Sequence, residues 1–233
     1  MQGLKCIWGT ATPPLEARHR VTGLNTRFNG GQLAFPDYVE LSRAMIVKAR
    51  SENNLIDSKE IVDGNAPFEL EPTGKYPAGL KNPYRRGVLL THGLTDSPYF
   101  MRHLAAFFQE NGFRVMAVLL PGHGTQPGDL LDASWQEWAK AVAYGADRLA
   151  EEVDDVYLAG YSAGGTLSVY HSLHDNRVRG LFLFSPALEI TSRAARANLH
   201  KLYSWLIPSA KWVGIRPDKS PYKYESLPKN AAA

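Results

Sequence analysis

The stretch DVYLAGYSAGGTLSVYHSLH, residues 155–174, decides the fold. Its first part, 155–159, is a short apolar run typical of a strand buried on both faces, and residues 163–174 are typical of a helix. Between them, Gly160-Tyr161-Ser162-Ala163-Gly164 matches G-x-S-x-G, in which the glycines keep side chains away from neighbouring backbone. A serine in this context stands on a strained turn, at the positive end of a helix. The context indicates a nucleophile at Ser162 and disfavours a glycine-bounded turn with an incidental serine.

Strands alternate with helices on both sides of this stretch. Apolar runs predict further strands at 87–91, 114–120 and 178–184. Helices are predicted to begin at Phe35, at Ser97-Pro98, and at a capping box formed by Ser134 and Glu137. The second helix is expected to bury Phe100, Leu104, Phe107 and Phe108. One face of the first helix carries Tyr38, Leu41, Met45 and Ala49, and the residues that recur at helical spacing on the third are Trp135, Trp138, Val142, Ala146 and Leu149. The alternation predicts an α/β fold, with a parallel sheet and helices on both faces.

The chain divides into three segments by pattern. Residues 1–86 hold the first predicted helix and a lead-in rich in proline and glycine. Residues 87–186 form the predicted α/β core with the nucleophile turn. In residues 187–233 the alternation ends and Trp, Tyr and Pro cluster, so this segment is interpreted as a lid or cap over the site, and the chain as ending within or just after it.

Two more motifs follow strand ends. The first, THGLTDSP (91–98), is a loop that can supply a backbone N–H to an oxyanion, from Leu94, while Ala163 supplies the other. The second, LPGHGT (120–125), is predicted to be a rigid loop at the same edge of the sheet. We expect the His92 and His123 side chains to brace these loops rather than to transfer protons.

Together HGLTDSP, LPGHGT and GYSAGG resemble the α/β-hydrolase superfamily, and more narrowly its bacterial serine esterase, lipase and monoacylglycerol-lipase-like branch. The resemblance covers about residues 85–186. It implies the α/β-hydrolase fold, and hydrolysis of esters, thioesters or amides without a cofactor. Carried over residue by residue, it makes Ser162 the nucleophile, and Leu94 and Ala163 the oxyanion donors.

The acid and the histidine of the superfamily follow the nucleophile, each after a further strand. Two more strands with their helices and loops need roughly 50–60 residues, whereas 48 residues follow Ser185 and are lid-like in pattern. We therefore expect the acid and base beyond Ala233 and the last strands of the sheet to be missing. The alternative pair within the chain is Glu189 and His200. A sheet without its last strands predicts poor solubility, association through the open edge, or a second polypeptide segment that completes the sheet.

Composition excludes several classes of protein. The 233 residues carry a net charge of +3 without a basic block, so no nucleic-acid partner is expected, and the single cysteine, Cys6, excludes a disulfide scaffold. No metal site is expected, since His171 and His174 are three apart on a helix without a third ligand. Phosphate-binding glycine patterns are absent from the sequence. No apolar run is long enough for a membrane span and no signal peptide is seen, so a cytoplasmic location is expected.

Two functions from different classes remain open at this point. The first is a serine hydrolase that cleaves an acyl ester or a monoacylglycerol through an acyl-enzyme on Ser162. The second is a hydrolase-like binding protein, or an inactive truncated hydrolase, that lacks the base. Dehalogenase and epoxide-hydrolase chemistry is disfavoured because those relatives carry Asp at the position of Ser162.

Overall fold

A computed structural model describes residues 21–51, 59–73 and 84–188. Their strands are β1 (Phe68–Leu70), β2 (Tyr84–Thr91), β3 (Arg114–Val118), β4 (Val153–Tyr161) and β5 (Val178–Phe184). Their α-helices are α1 (Phe35–Ser51), α2 (Lys59–Asn65), α3 (Arg102–Glu110), α4 (Trp135–Ala150) and α5 (Ala163–Ser172), with 3-10 turns at Pro98–Met101 and Pro127–Leu131.

The five strands form one sheet in the order β1-β3-β2-β4-β5. Strands β2 to β5 are parallel, and β1 pairs antiparallel with β3. At the end of β2, Thr91 is paired with Val118 of β3 on one side and with Gly160 of β4 on the other. The loops that follow these three strands therefore leave the sheet at the same edge.

The core has two layers because neighbouring strand residues face opposite sides of the sheet. On one side Leu89 and Met116 pack with α1, α4 and Leu167 of α5. On the other side Val88 and Leu90 pack with α3 through Ala105 and Phe108. The connection after β2 and that after β4 thus run to opposite faces, which opens a crevice between the carboxyl ends of these two strands.

The predicted α/β fold is confirmed, and strand β5 has the predicted bounds of 178–184. Strand β1 was not predicted, and it brings part of the 1–86 segment into the sheet. The predicted burial of Phe100 and Phe107 is wrong, since each is more than a third exposed, and Leu41 and Trp135 are exposed to a similar degree.

The capping box predicted at the start of α4 is also wrong, although the helix begins where expected. Ser134 has the extended backbone of an N-cap but its side chain makes no capping hydrogen bond. The Glu137 carboxylate instead accepts from the Phe28 N–H at 2.8 Å and from Lys140 at 2.6 Å. The side chain that should have completed the box therefore ties the segment before α1 to α4.

Candidate active site

Ser162 occupies the junction between β4 and α5 with a backbone that is strained for a residue with a side chain. Its φ is +51° and its ψ is −116°. Such a conformation costs about 1–3 kcal/mol and persists only where the surroundings enforce it. The end of β5 and the residues just after it do so: the Ser162 N–H donates to Phe184 O at 2.9 Å, and the Ala187 N–H donates to Ser162 O at 3.2 Å. The strained turn holds Ser162 at the carboxyl edge of the sheet, at the amino end of α5.

Two glycines around Ser162 allow the turn to be this tight. A Cβ at Gly160 would collide with the backbone of Gly164, and a Cβ at Gly164 would collide with the carbonyl oxygens of Thr91 and His92. Only glycine fits at either position, since the obstructing atoms are backbone. The second contact also brings α5 against the end of β2.

The loop after β2 lies directly beside Ser162. A Cβ built on Gly93 would be 3.5 Å from Ser162 Cβ, 3.0 Å from Tyr161 Cδ1 and 2.7 Å from Asp96 Oδ2. The loop closes as a turn in which the Asp96 N–H donates to Gly93 O at 3.2 Å. The structure therefore brings the Gly93–Leu94 peptide and Ser162 together in the crevice between β2 and β4.

A buried histidine sets the orientation of the Gly93–Leu94 peptide. His92 is 0% exposed, and its Nε2 accepts the Leu120 N–H at 3.1 Å. The ring proton is therefore on Nδ1, which donates to Gly93 O at 2.9 Å. Because the peptide group is planar and trans, fixing this carbonyl points the Leu94 N–H the opposite way. None of the described residues accepts a hydrogen bond from that N–H.

A second buried histidine holds the next peptide of the same loop. His123, also fully buried, lies with its ring centroid 4.8 Å from that of His92, edge to face. Its Nε2 lies 2.7 Å from Leu94 O, closer than its Nδ1 lies to the carbonyl oxygens of Pro121 and Leu120 (3.1 and 3.2 Å), so we assign the ring proton to Nε2 as donor to Leu94 O. Two successive carbonyls of the loop are thus each held by an imidazole, which agrees with the bracing role expected for both histidines.

Both histidines should make the protein less stable in mild acid. Burial, helped by the neighbouring His123, lowers the pKa of His92 well below 6.5, and burial also lowers the pKa of His123. Below about pH 6.5 the unfolded chain therefore binds protons that the folded chain excludes. The free energy of unfolding should fall by up to about 1.4 kcal/mol per pH unit for each imidazole, with no such slope above pH 7. Urea unfolding between pH 5 and 8 measures the slope.

The variant His92→Asn is the control for this slope, because it removes one of the two titrating groups. It should unfold with a shallower dependence on pH between 5 and 6.5. Asp175 acts in a different window: its hydrogen bonds with Arg177 lower the pKa of its carboxyl, so its contribution is lost only below about pH 4. An unchanged slope in His92→Asn would contradict the assignment to His92.

No hydrogen bond within the described residues joins a histidine side chain to Ser162. His171 lies nine residues after Ser162 on α5, about 13 Å along the helix axis, and pairs with Asp175 at 3.1 Å. The His174 Nδ1 lies 2.8 Å from Tyr170 O. The predicted alternative pair, Glu189 and His200, lies outside the described residues. So does the predicted lid, except for residues 187 and 188.

Within the described residues, no group of three or more His, Cys, Asp or Glu side chains is arranged to hold a metal ion. None of the helices described there is long and apolar enough to cross a membrane.

Sequence reasoning assigned no role to three buried polar residues close to these loops. Asp96 was part of a quoted motif, and its carboxylate lies against Gly93 beside Ser162. The buried Asn25 side chain bonds to backbone carbonyls of the loop after β3, more than 90 residues further along the chain. The buried Asp129 carboxylate bonds in the reverse direction, to Thr22. Only the three-dimensional structure could reveal these contacts, since no local sequence pattern marks them.

The chain is similar in sequence to a known protein family and to two characterised relatives. Residues 82–232 match the family model Hydrolase_4, described as serine aminopeptidase, S33. The chain is 34% identical over 109 residues to a thermostable monoacylglycerol lipase of Bacillus sp. (strain H-257), covering 47% of this chain and 44% of the relative. It is 32% identical over 85 residues to a carboxylesterase of Bacillus subtilis (strain 168), covering 36% of this chain and 35% of the relative. The matches span less than half the length of both relatives.

A solved structure from a study of LipS and LipT, two metagenome-derived lipolytic enzymes, shares the fold. It superposes with a TM-score of 0.57 at 24% identity, over 72% of this chain and 64% of that one. The likeness extends to the fold and carries no statement about substrate.

Proposed function

This chain belongs to the Hydrolase_4 (serine aminopeptidase, S33) family and has the α/β-hydrolase fold, and from that premise we propose that it cleaves carboxylic esters through an acyl-enzyme on Ser162. The observation that carries the proposal is the strained backbone of Ser162, φ +51°, at the amino end of α5. A fold tolerates strain of this kind where it serves a site. The monoacylglycerol lipase and the carboxylesterase among the relatives favour an ester over an amide.

The proposed reaction has two halves. The Ser162 Oγ attacks the acyl carbonyl while a general base takes its proton, and the carbon–oxygen bond to the alcohol then breaks as the alcohol receives that proton. Water, deprotonated by the same base, next attacks the acyl-enzyme and releases the carboxylic acid and free Ser162. No cofactor enters either half.

The negative charge that develops on the carbonyl oxygen is proposed to be stabilised by two backbone N–H groups. Ala163 is the first residue of α5, so its N–H is one of the four that lack an acceptor within the helix. The Leu94 N–H is oriented through the carbonyl that His92 and Asp96 hold. Donors fixed before the reaction stabilise the transition state without reorganising, and one such donor contributes about 3 kcal/mol.

The general base of this mechanism comes from outside the described residues. The buried imidazoles of His92 and His123 are committed to backbone groups, and His171 lies too far along α5. Glu189 and His200 remain a proposed pair within the chain. A base supplied from another part of the protein is the other option.

An acyl ester or a monoacylglycerol is the substrate class we propose. Tyr161 is 45% exposed, and its ring lies against Gly93 in the crevice beside Ser162. An exposed aromatic ring next to the nucleophile offers an apolar surface to an acyl chain or an ester alcohol. The net charge of the chain, +3, gives no basis for a strongly charged substrate.

The complete protein should hydrolyse p-nitrophenyl acyl esters and a monoacylglycerol at least 100-fold faster, by kcat/KM, than aminoacyl p-nitroanilides. The panel measures initial rates for acyl chains of two to twelve carbons alongside alanyl and prolyl anilides. Preferential cleavage of the anilides would replace the esterase proposal with an aminopeptidase. Turnover of none of them, with a folded protein, would favour the non-catalytic binding protein.

A further inference from the structure

A short segment ahead of the family-matched residues lies across the loop that follows β3. We call residues Thr22 to Asn25 the strap. One end is anchored by Asp129, which is 0% exposed. The Asp129 Oδ1 accepts the N–H groups of Thr22 at 2.6 Å and Gly23 at 3.2 Å, while its Oδ2 accepts the Thr22 hydroxyl at 2.7 Å. A buried carboxylate with this many donors fixes the strap firmly, because without the strap its charge would keep the Thr125 hydroxyl but lose the three donors from Thr22 and Gly23.

The other end of the strap is anchored by the Asn25 side chain, which is 4% exposed. Its Nδ2 donates to His123 O at 2.6 Å and, more weakly, to Leu120 O at 3.4 Å. The Asn25 carbonyl oxygen accepts the Gly122 N–H. Backbone groups of three residues around the 120–123 turn are thus held by a single asparagine.

The same turn carries the side chains that reach the loop beside Ser162. The His123 ring donates to Leu94 O at 2.7 Å, and the Leu120 N–H donates to the ring of His92 at 3.1 Å. Both bonds start from a residue whose backbone carbonyl accepts from the Asn25 side chain, and the one from His123 ends in the oxyanion loop (residues 93–96). These contacts form a continuous route from Asn25 through His123 to Leu94.

We propose that Asn25, through the strap, is a positioning residue for the oxyanion loop. The strap lies outside residues 82–232, which match the family model, so the family match does not include it. The role of Asn25 in turnover rests on the proposed function, whereas its role in fixing the loop does not. Asn25 touches no reacting atom; it acts by holding the His123 backbone from which the imidazole reaches Leu94 O.

The test compares Asn25→Ala and the isosteric Asn25→Asp with Asn65→Ala in the complete protein. Asn65 is a matched control, since it is also buried and its Nδ2 donates to a backbone carbonyl, Ile61 O at 3.0 Å, in α2. Asn25→Asp keeps the shape of the side chain but turns an oxygen toward the two carbonyls, so it tests the donor even if Asn25→Ala folds poorly. Amide hydrogen exchange of the 92–98 peptide is measured together with kcat and KM for an ester.

Both Asn25 variants should exchange the 92–98 amides at least tenfold faster than wild type and lower kcat at least tenfold, with KM within twofold. Asn65→Ala should leave exchange in 92–98 unchanged. Wild-type exchange in 92–98 in the folded Asn25 variants would overturn the proposal, as would a kcat loss no larger than that of Asn65→Ala. If wild type turns over no substrate but Asn25→Asp still speeds exchange in 92–98, the positioning role stands and the proposed function fails.

Discussion

Replacement of Ser162 by alanine should abolish labelling by a fluorophosphonate probe and reduce ester hydrolysis by at least about 10⁴-fold. The physical reason is that the proposed acyl-enzyme cannot form without the Oγ, and only the proposed oxyanion donors and substrate binding then remain to stabilise the transition state. Mass spectrometry of the labelled wild-type protein should find the probe on Ser162 alone.

The control is Ser172→Ala, which makes the same serine-to-alanine change at the other end of α5. The Ser172 hydroxyl donates to Val169 O at 2.8 Å within the helix, so its loss should leave both labelling and turnover within about twofold of wild type. Labelling retained in Ser162→Ala, or a probe found on another serine of the wild type, would contradict the assignment. Slow labelling of the wild type itself would indicate that the serine lacks its base, as the binding-protein alternative requires.

The central strands and the turn that carries Ser162 were predictable because their signal is local. The turn at 160–164 stands between an apolar strand and a helix within 20 consecutive residues, and the strand at 178–184 has its predicted bounds. Strand β1, in contrast, has three residues, too few for an alternation pattern to emerge. It is defined by its pairing with β3, where Phe68 lies opposite Ala117, and pairing of this kind has no local signature.

The errors in burial have a similar origin. Periodicity indicates which residues share a helix face, but not how far the neighbouring element extends over that face. Phe107 lies one residue before the buried Phe108 and is 57% exposed, because the aromatic pattern of α3 is broader than the surface the sheet covers. The polar contacts of the strap were out of reach for the opposite reason: Thr22 and Asp129 are 107 positions apart, and neither belongs to a motif.

His92 offers the other large expected effect, because its two ring nitrogens do different work. Nδ1 orients the Gly93–Leu94 peptide, and Nε2 accepts the Leu120 N–H. In His92→Gln the side-chain oxygen reaches about as far as Nε2 and keeps the bond from Leu120, but the donor to Gly93 O is lost. In His92→Asn the amide nitrogen lies near the position of Nδ1 and keeps the donor. The two variants therefore separate the functions of the two nitrogens.

His92→Gln should lower kcat for an ester by about 10²–10³-fold with KM nearly unchanged, because the oxyanion exists only in the transition state. His92→Asn should retain kcat within about tenfold. Each variant loses one buried hydrogen bond, so urea unfolding should show a similar loss of stability in both, about 1–3 kcal/mol. This similarity makes stability an inadequate explanation for unequal kcat values. Equal kcat losses in the two variants would instead show that His92 supports the fold without orienting the Leu94 N–H, and the second oxyanion donor would have to be sought elsewhere.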